Sequence, residues 1–425
     1  MKSKFDERII LHVDINNCYA SIEAKENPDL TGKSVAVAGS VKDRHGIILA
    51  KNEIAKSFGV KTGEAIWEAK RKCPELVVAA PHYDLYLKYS KAARKIYSDY
   101  TDRVEPFGID EAWLDITGLY RNGSQADGEE IADEIRKRVK RELGITVSVG
   151  VSFNKIYAKL GSDMKKPDAV TIITKENFKK KVWPLDVGAI LFVGKKTRER
   201  LRSRGVFTVG DLAHADDAML RCILGKNGQK LKDFACGLDK SEVAIDGDGD
   251  AVKSVSNSTT APRDLCNDKD VKVVLYSLSE SVASRLRDID KKASVVTVSV
   301  RTKTLKCYSK QRHISVPTND AKTLATAAFE LYRESFEKSK GEPIRSMGVS
   351  AGELSGSDGF VQLSMFDSRS EYDECEKLNA AVDKLRQRYG KSCITRGIIL
   401  SDGELSHLAE GPHIGDDMTS FMKSG

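Results

Sequence analysis

The sequence predicts an α+β protein built of several domains. At 425 residues the chain is too long for one hydrophobic core, because single cores stop growing at about 250–300 residues. Two segments of alternating apolar and polar residues, 102–107 and 112–116, flank a short turn and predict a β-hairpin. Farther along, residues 254–355 contain a strand–helix–strand pattern twice, which predicts a separate βαββαβ domain.

The overall composition favours a globular protein with a polyanionic partner. Charged residues make up 31% of the chain and hydrophobic residues 40%, and the formal net charge is +7. A basic surface attracts nucleic acid, although many proteins that bind none are as basic. No apolar run approaches the roughly 20 residues that cross a bilayer, and the first one is too short for a signal peptide. We therefore expect a cytoplasmic protein with no membrane segment.

The cysteine pattern agrees with that compartment. The chain has eight cysteines, spread along its length without a Cys-x-x-Cys pair. Zinc sites and redox motifs are built on such pairs, and disulfides persist mainly in oxidising compartments. We therefore expect free thiols in a reducing cytosol.

An acidic pair occupies the tip of the predicted hairpin. Asp110 and Glu111 stand side by side there, and a third carboxylate, Asp14, ends the apolar run 9–13. An acidic pair in a turn is more often simply solvated, but if the first strand lies beside the hairpin, the three carboxylates converge at one edge of a sheet. Carboxylates that close repel one another unless cations neutralise them, and hard oxygen ligands select Mg²⁺. Such a cluster suits phosphoryl transfer between two Mg²⁺ ions.

The segments around these acids resemble the signatures of a known family. Residues 10–24 and 108–115 are similar to the two acidic motifs of the Y-family translesion DNA polymerases, in the branch of the DinB or DNA polymerase IV type. Further similar segments follow in the family's order up to about residue 366. Any one segment could mislead, but several in the correct order are highly specific.

The resemblance implies a right-hand polymerase fold with a palm, small fingers, a helical thumb and a βαββαβ little-finger domain. The implied boundaries are a discontinuous palm at 1–17 and 80–175, fingers at 18–79, a thumb at 176–243, a linker at 244–253, a little finger at 254–355, and a clamp-binding peptide with a C-terminal tail at 356–425. The acidic run in the linker lacks the glycine and glutamate of a calcium-binding EF-hand loop, so we expect a flexible connection.

The catalytic residues also follow from the resemblance. Asp14, Asp110 and Glu111 would bind two Mg²⁺ ions per active site, and Ile15 would contribute its backbone carbonyl to a metal. Asn16 stands where many relatives carry a second aspartate. Because that position is not one of the three carboxylate ligands, the difference does not threaten catalysis.

A second set of residues would bind the nucleoside triphosphate. Tyr19 would be the steric gate, an aromatic ring that stacks under the sugar and excludes a 2′-hydroxyl; the alternative is an ordinary core aromatic. Lys166 would meet the β- and γ-phosphates as a point charge. The full set implied by the resemblance is Asn17, Cys18, Tyr19, Lys56 and Lys166.

The fingers depart from the family at two positions. Relatives usually carry Tyr and Arg, three residues apart, against the triphosphate, where this chain has Glu53 and Lys56. Lys56 keeps the positive charge without the bidentate fork of an arginine, and Glu53 would repel phosphate. The effect of these replacements stays open, and nucleotide affinity would depend more on Lys166.

The thumb would grip DNA through a helix-hairpin-helix. Val193, Gly194 and Lys195 lie in a segment that resembles this motif, which holds a DNA phosphate without reading sequence. Phe192 replaces the glycine that usually opens the hairpin. The alternative is therefore an ordinary helix turn packed in the thumb core.

The little finger would follow the duplex through its basic strands. Arg301, Lys303 and Arg312 belong to a concentration of positive charge in this region. Charge runs are usually solvated faces, but basic strands beside a polymerase suggest a track along DNA phosphates.

A short peptide after this domain would bind the replication sliding clamp. Gln362, Leu363, Met365 and Phe366 resemble the Gln-Leu-x-hydrophobic-Phe peptide that bacterial replication proteins insert into a groove of the clamp. In many relatives the peptide ends the chain, whereas about 59 residues follow it here, including an amphipathic helix predicted over 372–388. The alternative is that the apolar side chains pack against that helix as an edge strand.

Together these implications predict a template-directed DNA polymerase that extends primers past damaged bases with Mg²⁺ and without proofreading. Its partners would be primer-template DNA, deoxynucleoside triphosphates and the sliding clamp, and it would act as a monomer in the bacterial cytoplasm.

The alternative from another class is a catalytically weak DNA-binding scaffold recruited to the clamp. The intact carboxylates argue against that scaffold, and Glu53 argues weakly for it. A nucleotidyl cyclase on a related palm would have no use for a thumb or a clamp peptide. Lesion specificity, fidelity, accessory subunits and the role of the tail stay open.

Overall fold

A computed structural model describes residues 8–42, 44–119, 125–245, 252–336, 342–356, 369–406 and 408. The chain forms two compact units, one made of residues 1–37 and 48–249 and the other of residues 38–47 and 250–424. No helix within the described ranges is long and apolar enough to cross a membrane.

Short strands and helices alternate through the region before residue 245. In chain order they are β1 (Ile10–Ile15), α1 (Cys18–Glu26), β2 (Val35–Ala38), β3 (Ile48–Lys51), α2 (Glu53–Ser57), α3 (Ile66–Lys72), β4 (Val77–Ala79), α4 (Tyr83–Ser98), β5 (Val104–Pro106), β6 (Glu111–Asp115), α5 (Gln125–Leu143), β7 (Val147–Ser152), α6 (Lys155–Met164), β8 (Val170–Ile173), α7 (Phe178–Val182), α8 (Lys195–Arg202), α9 (Val209–His214), α10 (Asp217–Leu224) and α11 (Lys226–Ala235). The predicted hairpin is confirmed as β5 and β6, which pair antiparallel.

The strand β1 is the centre of a five-stranded sheet with the order β5-β6-β1-β7-β8. It pairs antiparallel with β6 and β7, and β7 pairs parallel with β8. All six residues of β1 are buried, because helices cover both faces of the sheet. The odd-numbered residues pack into a core with α4 and α5, and the even-numbered residues face α6. This double burial accounts for the apolar run in the sequence.

The helix α6 lies very close to the sheet. A Cβ atom on Gly150 of β7 would lie 1.9 Å from the carbonyl oxygen of Ala158, so only glycine permits this approach. The first turn of α6 is held as well, because the indole N–H of Trp113 donates to the carbonyl oxygen of Lys155 at 2.9 Å. α6 is therefore fixed against the middle of the sheet.

Two smaller layers complete the first unit. The strands β3, β2 and β4 form a three-stranded sheet in that order, in which β2 and β4 are parallel. The short helices α7 to α11 surround a separate core with buried residues from α6. That core contains Val182, Leu201, Leu212, Leu231 and Phe234, all buried.

The second unit contains the predicted βαββαβ pattern, which is confirmed. Its elements are β9 (Ser254–Leu265), α12 (Asp268–Asp288), β10 (Lys291–Thr302), β11 (Cys307–Thr318), α13 (Ala321–Phe336), β12 (Ile344–Gly356), α14 (Arg369–Tyr389) and α15 (Gly403–Ser406). The strands form an antiparallel sheet with the order β11-β10-β12-β9. α12 and α13 bury apolar side chains against one face of it.

The amphipathic helix predicted after the domain is present as α14. It is bound to the second unit by ion pairs: Arg287 contacts Asp383 at 2.5 and 2.9 Å, and Lys292 contacts Glu376 at 2.7 Å. Glu280 of α12 is contacted at 2.7 Å by Arg386. The described part of the tail is thus an integral layer of this unit.

Candidate active site

Strand pairing brings the three predicted carboxylates to one end of β1 and β6. Asp14 is the register partner of Glu111. The N–H of Ile15 donates to the carbonyl oxygen of Asp110 at 2.9 Å. The turn that places them contains Gly108 at φ +96°, a left-handed backbone conformation that favours glycine. The backbone positions of the three acids therefore lie at one end of the paired strands, the sheet edge at which they were expected.

These carboxylates perturb one another because they are close and partly removed from water. Burial raises the pKa of Asp14 to about 7; Lys166 opposes the rise, and the charges of Glu111 and Asp110 add to it. Burial also raises the pKa of Asp110, with the charge of Glu111 as the next cause. Such repulsion is what a bound cation relieves.

Two lysines provide positive charge at the cluster. Lys166 lies with Nζ 2.9 Å from Oδ2 of Asp14 and 3.0 Å from Oδ1 of Asp163. Lys159 of α6 forms an ion pair with Oε2 of Glu111. Burial works against ionisation of Glu111, but hydrogen bonds from His12 and Lys159 outweigh it and lower the pKa of Glu111 to about 2.

The donor set has the chemistry of a magnesium site, although the ligands are not gathered around a point. Within the described residues, no group of three or more His, Cys, Asp or Glu side chains is arranged to hold a metal ion. The carboxylates are paired with lysines instead. The three carboxylates are hard oxygen donors, and burial, together with the negative charge of Glu111, raises the pKa of both aspartates; a donor set of this kind fits Mg²⁺.

Tyr19 lies in the first turn of α1 within a group of aromatic rings. Its ring stacks on Tyr86 with centroids 4.2 Å apart and planes 9° from parallel, and it meets the edge of Tyr83 at 6.0 Å. Tyr86 is fixed in turn, because its hydroxyl donates to Oε1 of Glu23 at 2.5 Å. Tyr19 itself is only partly buried, so one side of the ring is held by protein.

Hydrogen bonds connect the start of α1 to α2, a helix of the predicted fingers. Nδ2 of Asn17 donates to Oε1 of Glu53 at 3.0 Å, and Nζ of Lys56 lies 3.2 Å from the same oxygen. Burial acts to raise the pKa of Glu53, but these hydrogen bonds outweigh it and lower the pKa. Cys18, next to Asn17, is buried, and burial raises its pKa. The replacement at position 53 thus engages two of the predicted nucleotide-binding side chains.

The predicted thumb hairpin forms a turn before α8. Gly194 is the N-cap residue of α8 and Lys195 is its first residue, whereas the side chain of Val193 is buried. Phe192 has φ +71°, the left-handed conformation for which glycine is preferred. Its ring is 62% exposed, with Nζ of Lys230 5.6 Å from the ring centroid.

The basic residues predicted to follow DNA differ in their surroundings. Arg301 is exposed on β10. Lys303 is also exposed and lies 3.6 Å from Asp264. Arg312 forms ion pairs with Glu330, at 3.6 Å, and with Glu334, both on α13. The three side chains therefore do not share one environment.

The predicted clamp peptide cannot be placed, because Gln362, Leu363, Met365 and Phe366 lie outside the described residues. Its role stays a prediction.

Sequence reasoning missed several residues beside the carboxylates. His12 is fully buried and contacts Glu111, and Lys159 contacts the same side chain. Asn16, considered only as a departure from the family, accepts the N–H of Asp168 at 2.8 Å and donates to Oγ of Ser148 at 2.8 Å. One signal was available for His12: it stands two residues before Asp14 and so shares its face of the strand.

Comparisons with known proteins give consistent matches. The chain matches the impB/mucB/samB family over residues 13–163 and the C-terminal domain of that family over residues 252–365. DNA polymerase IV of Acetivibrio thermocellus is 48% identical over 405 residues, which cover 95% of this chain and 100% of the relative. DNA polymerase IV 1 of Bacillus subtilis is 36% identical over 401 residues, which cover 93% of this chain and 94% of the relative. A solved Y-family DNA polymerase chimera superimposes with a TM-score of 0.74 over 81% of this chain and 99% of its own, at 24% identity, a likeness of fold alone.

Proposed function

This chain belongs to the Y-family of translesion DNA polymerases, in the DNA polymerase IV branch, and we propose that Asp14, Asp110 and Glu111 carry its nucleotidyl transfer. It is a DNA-directed DNA polymerase that extends primers past damaged bases. Nothing in the comparisons favours the alternative of a catalytically weak scaffold.

The observation that carries the proposal is the pairing of β1 with β6. It sets Asp14 opposite Glu111 and bonds Ile15 to Asp110 through the backbone. Two Mg²⁺ ions, held by these carboxylates and the carbonyl of Ile15, would supply the positive charge that a phosphoryl transfer needs. The protein's own contribution is to fix the oxygens on paired strands whose positions are set by a buried core.

A nucleoside triphosphate would meet Lys166 beside this cluster. Lys166 lies 2.9 Å from Asp14, so its ammonium group is close to the carboxylates and can neutralise phosphate charge. Asn17, Cys18 and Lys56 would complete the triphosphate side of the site. Tyr19 would act as the steric gate, supported from behind by its stack on Tyr86.

Primer-template DNA would be held by both units. The backbone of Val193, Gly194 and Lys195 would grip a phosphate at the start of α8, and Arg301, Lys303 and Arg312 would contact the duplex. Gln362, Leu363, Met365 and Phe366 would attach the enzyme to the sliding clamp and raise its effective concentration at the primer end. By this proposal the enzyme acts as a monomer in the bacterial cytoplasm.

Primer extension with a double substitution tests the catalytic assignment. Asp110→Ala with Glu111→Ala should abolish extension with Mg²⁺ and the four deoxynucleotides, because it removes two of the three carboxylates, while primer-template binding stays nearly intact. Asp102→Asn, an exposed acid at the base of the same hairpin, is the matched control and should extend normally. Substantial synthesis by the double variant would show that the assignment is wrong.

A further inference from the structure

We propose that His12 and Lys159 are positioning residues that fix the carboxylate of Glu111 through its Oε2 atom and leave Oε1 for a metal ion. This inference rests on the proposed role of Glu111 as a metal ligand. It goes beyond that role because it assigns a function to two residues that do not themselves ligate the metal.

The imidazole of His12 has its orientation set by α6. Nδ1 lies 2.8 Å from Oγ of Ser162, and that oxygen also lies 2.8 Å from the carbonyl oxygen of Lys159. Because the other ring nitrogen, Nε2, faces a carboxylate oxygen that can only accept, the neutral ring carries its proton on Nε2, and Nδ1 accepts the hydrogen of the Ser162 hydroxyl. The ring is fully buried and meets the edge of Trp113, with ring centroids 5.2 Å apart. It has little freedom to turn.

The other ring nitrogen of His12 faces the catalytic cluster. Nε2 lies 3.3 Å from Oε2 of Glu111. The ammonium group of Lys159 forms an ion pair with the same oxygen and lies 5.2 Å from the centre of the Phe107 ring. In the part of the chain that the structure describes, no polar partner contacts Oε1 of Glu111. His12 and Lys159 thus both contact Oε2 of Glu111, and Oε1 stays accessible to a metal ion.

This asymmetry has a physical consequence for metal binding. A carboxylate whose two oxygens are both free must lose rotational freedom when it binds a cation, and it can bind through one oxygen or through both. Partners that hold one oxygen of the carboxylate, here Oε2, remove that freedom before the metal binds. Substitution of such partners typically weakens metal binding about 10- to 100-fold. The expected result is a Glu111 that is oriented before the metal arrives.

Two substitutions of His12 separate its contacts. Because the amide nitrogen of glutamine takes the place of Nε2, His12→Gln should keep the contact with Glu111, whereas His12→Asn places an amide near Nδ1 and keeps only the contact with Ser162. The measurement is binding of Mn²⁺, followed by the electron paramagnetic resonance of the free ion, to enzyme with primer-template and a non-hydrolysable deoxynucleotide analogue. His12→Asn should weaken Mn²⁺ binding about 10-fold or more, and His12→Gln should stay within about 3-fold of the parent.

Lys159→Met tests the second contact, with Lys155→Met as its matched control. Lys155 lies one turn earlier on α6 and pairs with Glu105 instead, at 2.6 Å. Lys159→Met should weaken Mn²⁺ binding, and Lys155→Met should leave it unchanged. Tighter or unaltered binding by Lys159→Met would overturn the inference, since the lysine would then be only a cation that competes with the metal. Equal affinities for His12→Asn and His12→Gln would overturn it as well.

Failure of this inference can be told apart from failure of the proposed function. If Asp110→Ala with Glu111→Ala loses Mn²⁺ binding and extension but the His12 and Lys159 variants bind as the parent does, only the positioning role is wrong. If the double variant itself binds Mn²⁺ and extends primers, Glu111 is not a ligand and both are wrong.

Discussion

The two large sheets of this protein place their charged side chains in opposite surroundings. In the first unit, β1 is buried along its whole length, and Asp14 at its end is 5% exposed. In the second unit, most residues of β11 are exposed. Water screens a charge on the exposed sheet, whereas a charge on the buried sheet must be matched by a specific partner.

The difference teaches where single substitutions should matter. Groups in the first unit are held by neighbours on several sides, as Tyr19 is by Tyr86 and Glu111 is by Lys159. Removing one of them leaves its neighbours without a counterpart. The exposed basic groups on the sheet of the second unit act mostly through the sum of their charges, so each one should contribute little to DNA binding.

The largest effect of three further substitutions is expected at Tyr19. Its ring cannot withdraw easily because it stacks on Tyr86 at 4.2 Å, and forcing an extra oxygen against a packed ring costs about 1–3 kcal/mol. Tyr19→Ala should therefore raise the use of ribonucleotides relative to deoxynucleotides about 10- to 100-fold, measured as the ratio of kcat/KM values. Tyr83→Ala, which removes only an edge contact, should change the ratio much less. An unchanged ratio in Tyr19→Ala would make Tyr19 an ordinary core aromatic.

An intermediate effect is expected at Glu53, which is partly exposed. Its carboxylate accepts hydrogen bonds from Asn17 and Lys56. Glu53→Gln would remove a negative charge from the proposed triphosphate-binding part of the site and keep an oxygen that can accept from Asn17. The KM for deoxynucleotides should fall by about 3-fold, a modest change because solvent screens the pair, with kcat nearly constant.

Glu64→Gln is the matched control for Glu53, because Glu64 pairs with Lys72 elsewhere in the same region. Its KM should equal that of the parent. A KM that rises in Glu53→Gln would mean that the carboxylate helps nucleotide binding rather than opposing it.

The smallest effect is expected on the exposed sheet. Arg301→Ala should weaken primer-template binding by only a few-fold and reduce the slope of log K against log salt by about 1, the signature of one lost phosphate contact. Arg312→Ala should change the slope less, because Glu334 and Glu330 already neutralise that guanidinium. Fluorescence anisotropy across a salt series provides the measurement. Equal changes in the two slopes would show that the ion pairs of Arg312 open when DNA binds.

Local sequence patterns predicted much of the fold and the position of the acidic cluster. The hairpin followed from alternation around an acidic turn, and its convergence with Asp14 followed from an apolar run that ends on an acid. The βαββαβ part of the second unit was predicted element by element, because each of its strands and helices is long enough to show its own period. These are features that a few neighbouring residues determine.

The remainder depends on contacts between distant elements, which no short pattern records. Lys159 reaches Glu111 only because α6 lies against the even-numbered face of β1, and Ser162 turns His12 for the same reason. Arg312 forms an ion pair with Glu334 because α13 lies beside β11, and the sequence around Arg312 does not indicate this pairing. A resemblance to a family indicates the proposed metal ligands, but it does not indicate the residues that contact those ligands, such as Lys159 and His12.

Gly150 has a consequence for how sequences of this kind can change. Any side chain at that position would collide with the backbone of Ala158, and the helix would have to move outward together with Lys159 and Ser162. A lineage that accepted such a replacement would keep Asp14, Asp110 and Glu111 and still shift Lys159 and Ser162, which contact Glu111 and His12. Natural drift at this position is therefore constrained by the proposed active site, although the glycine has no side chain with which to touch it.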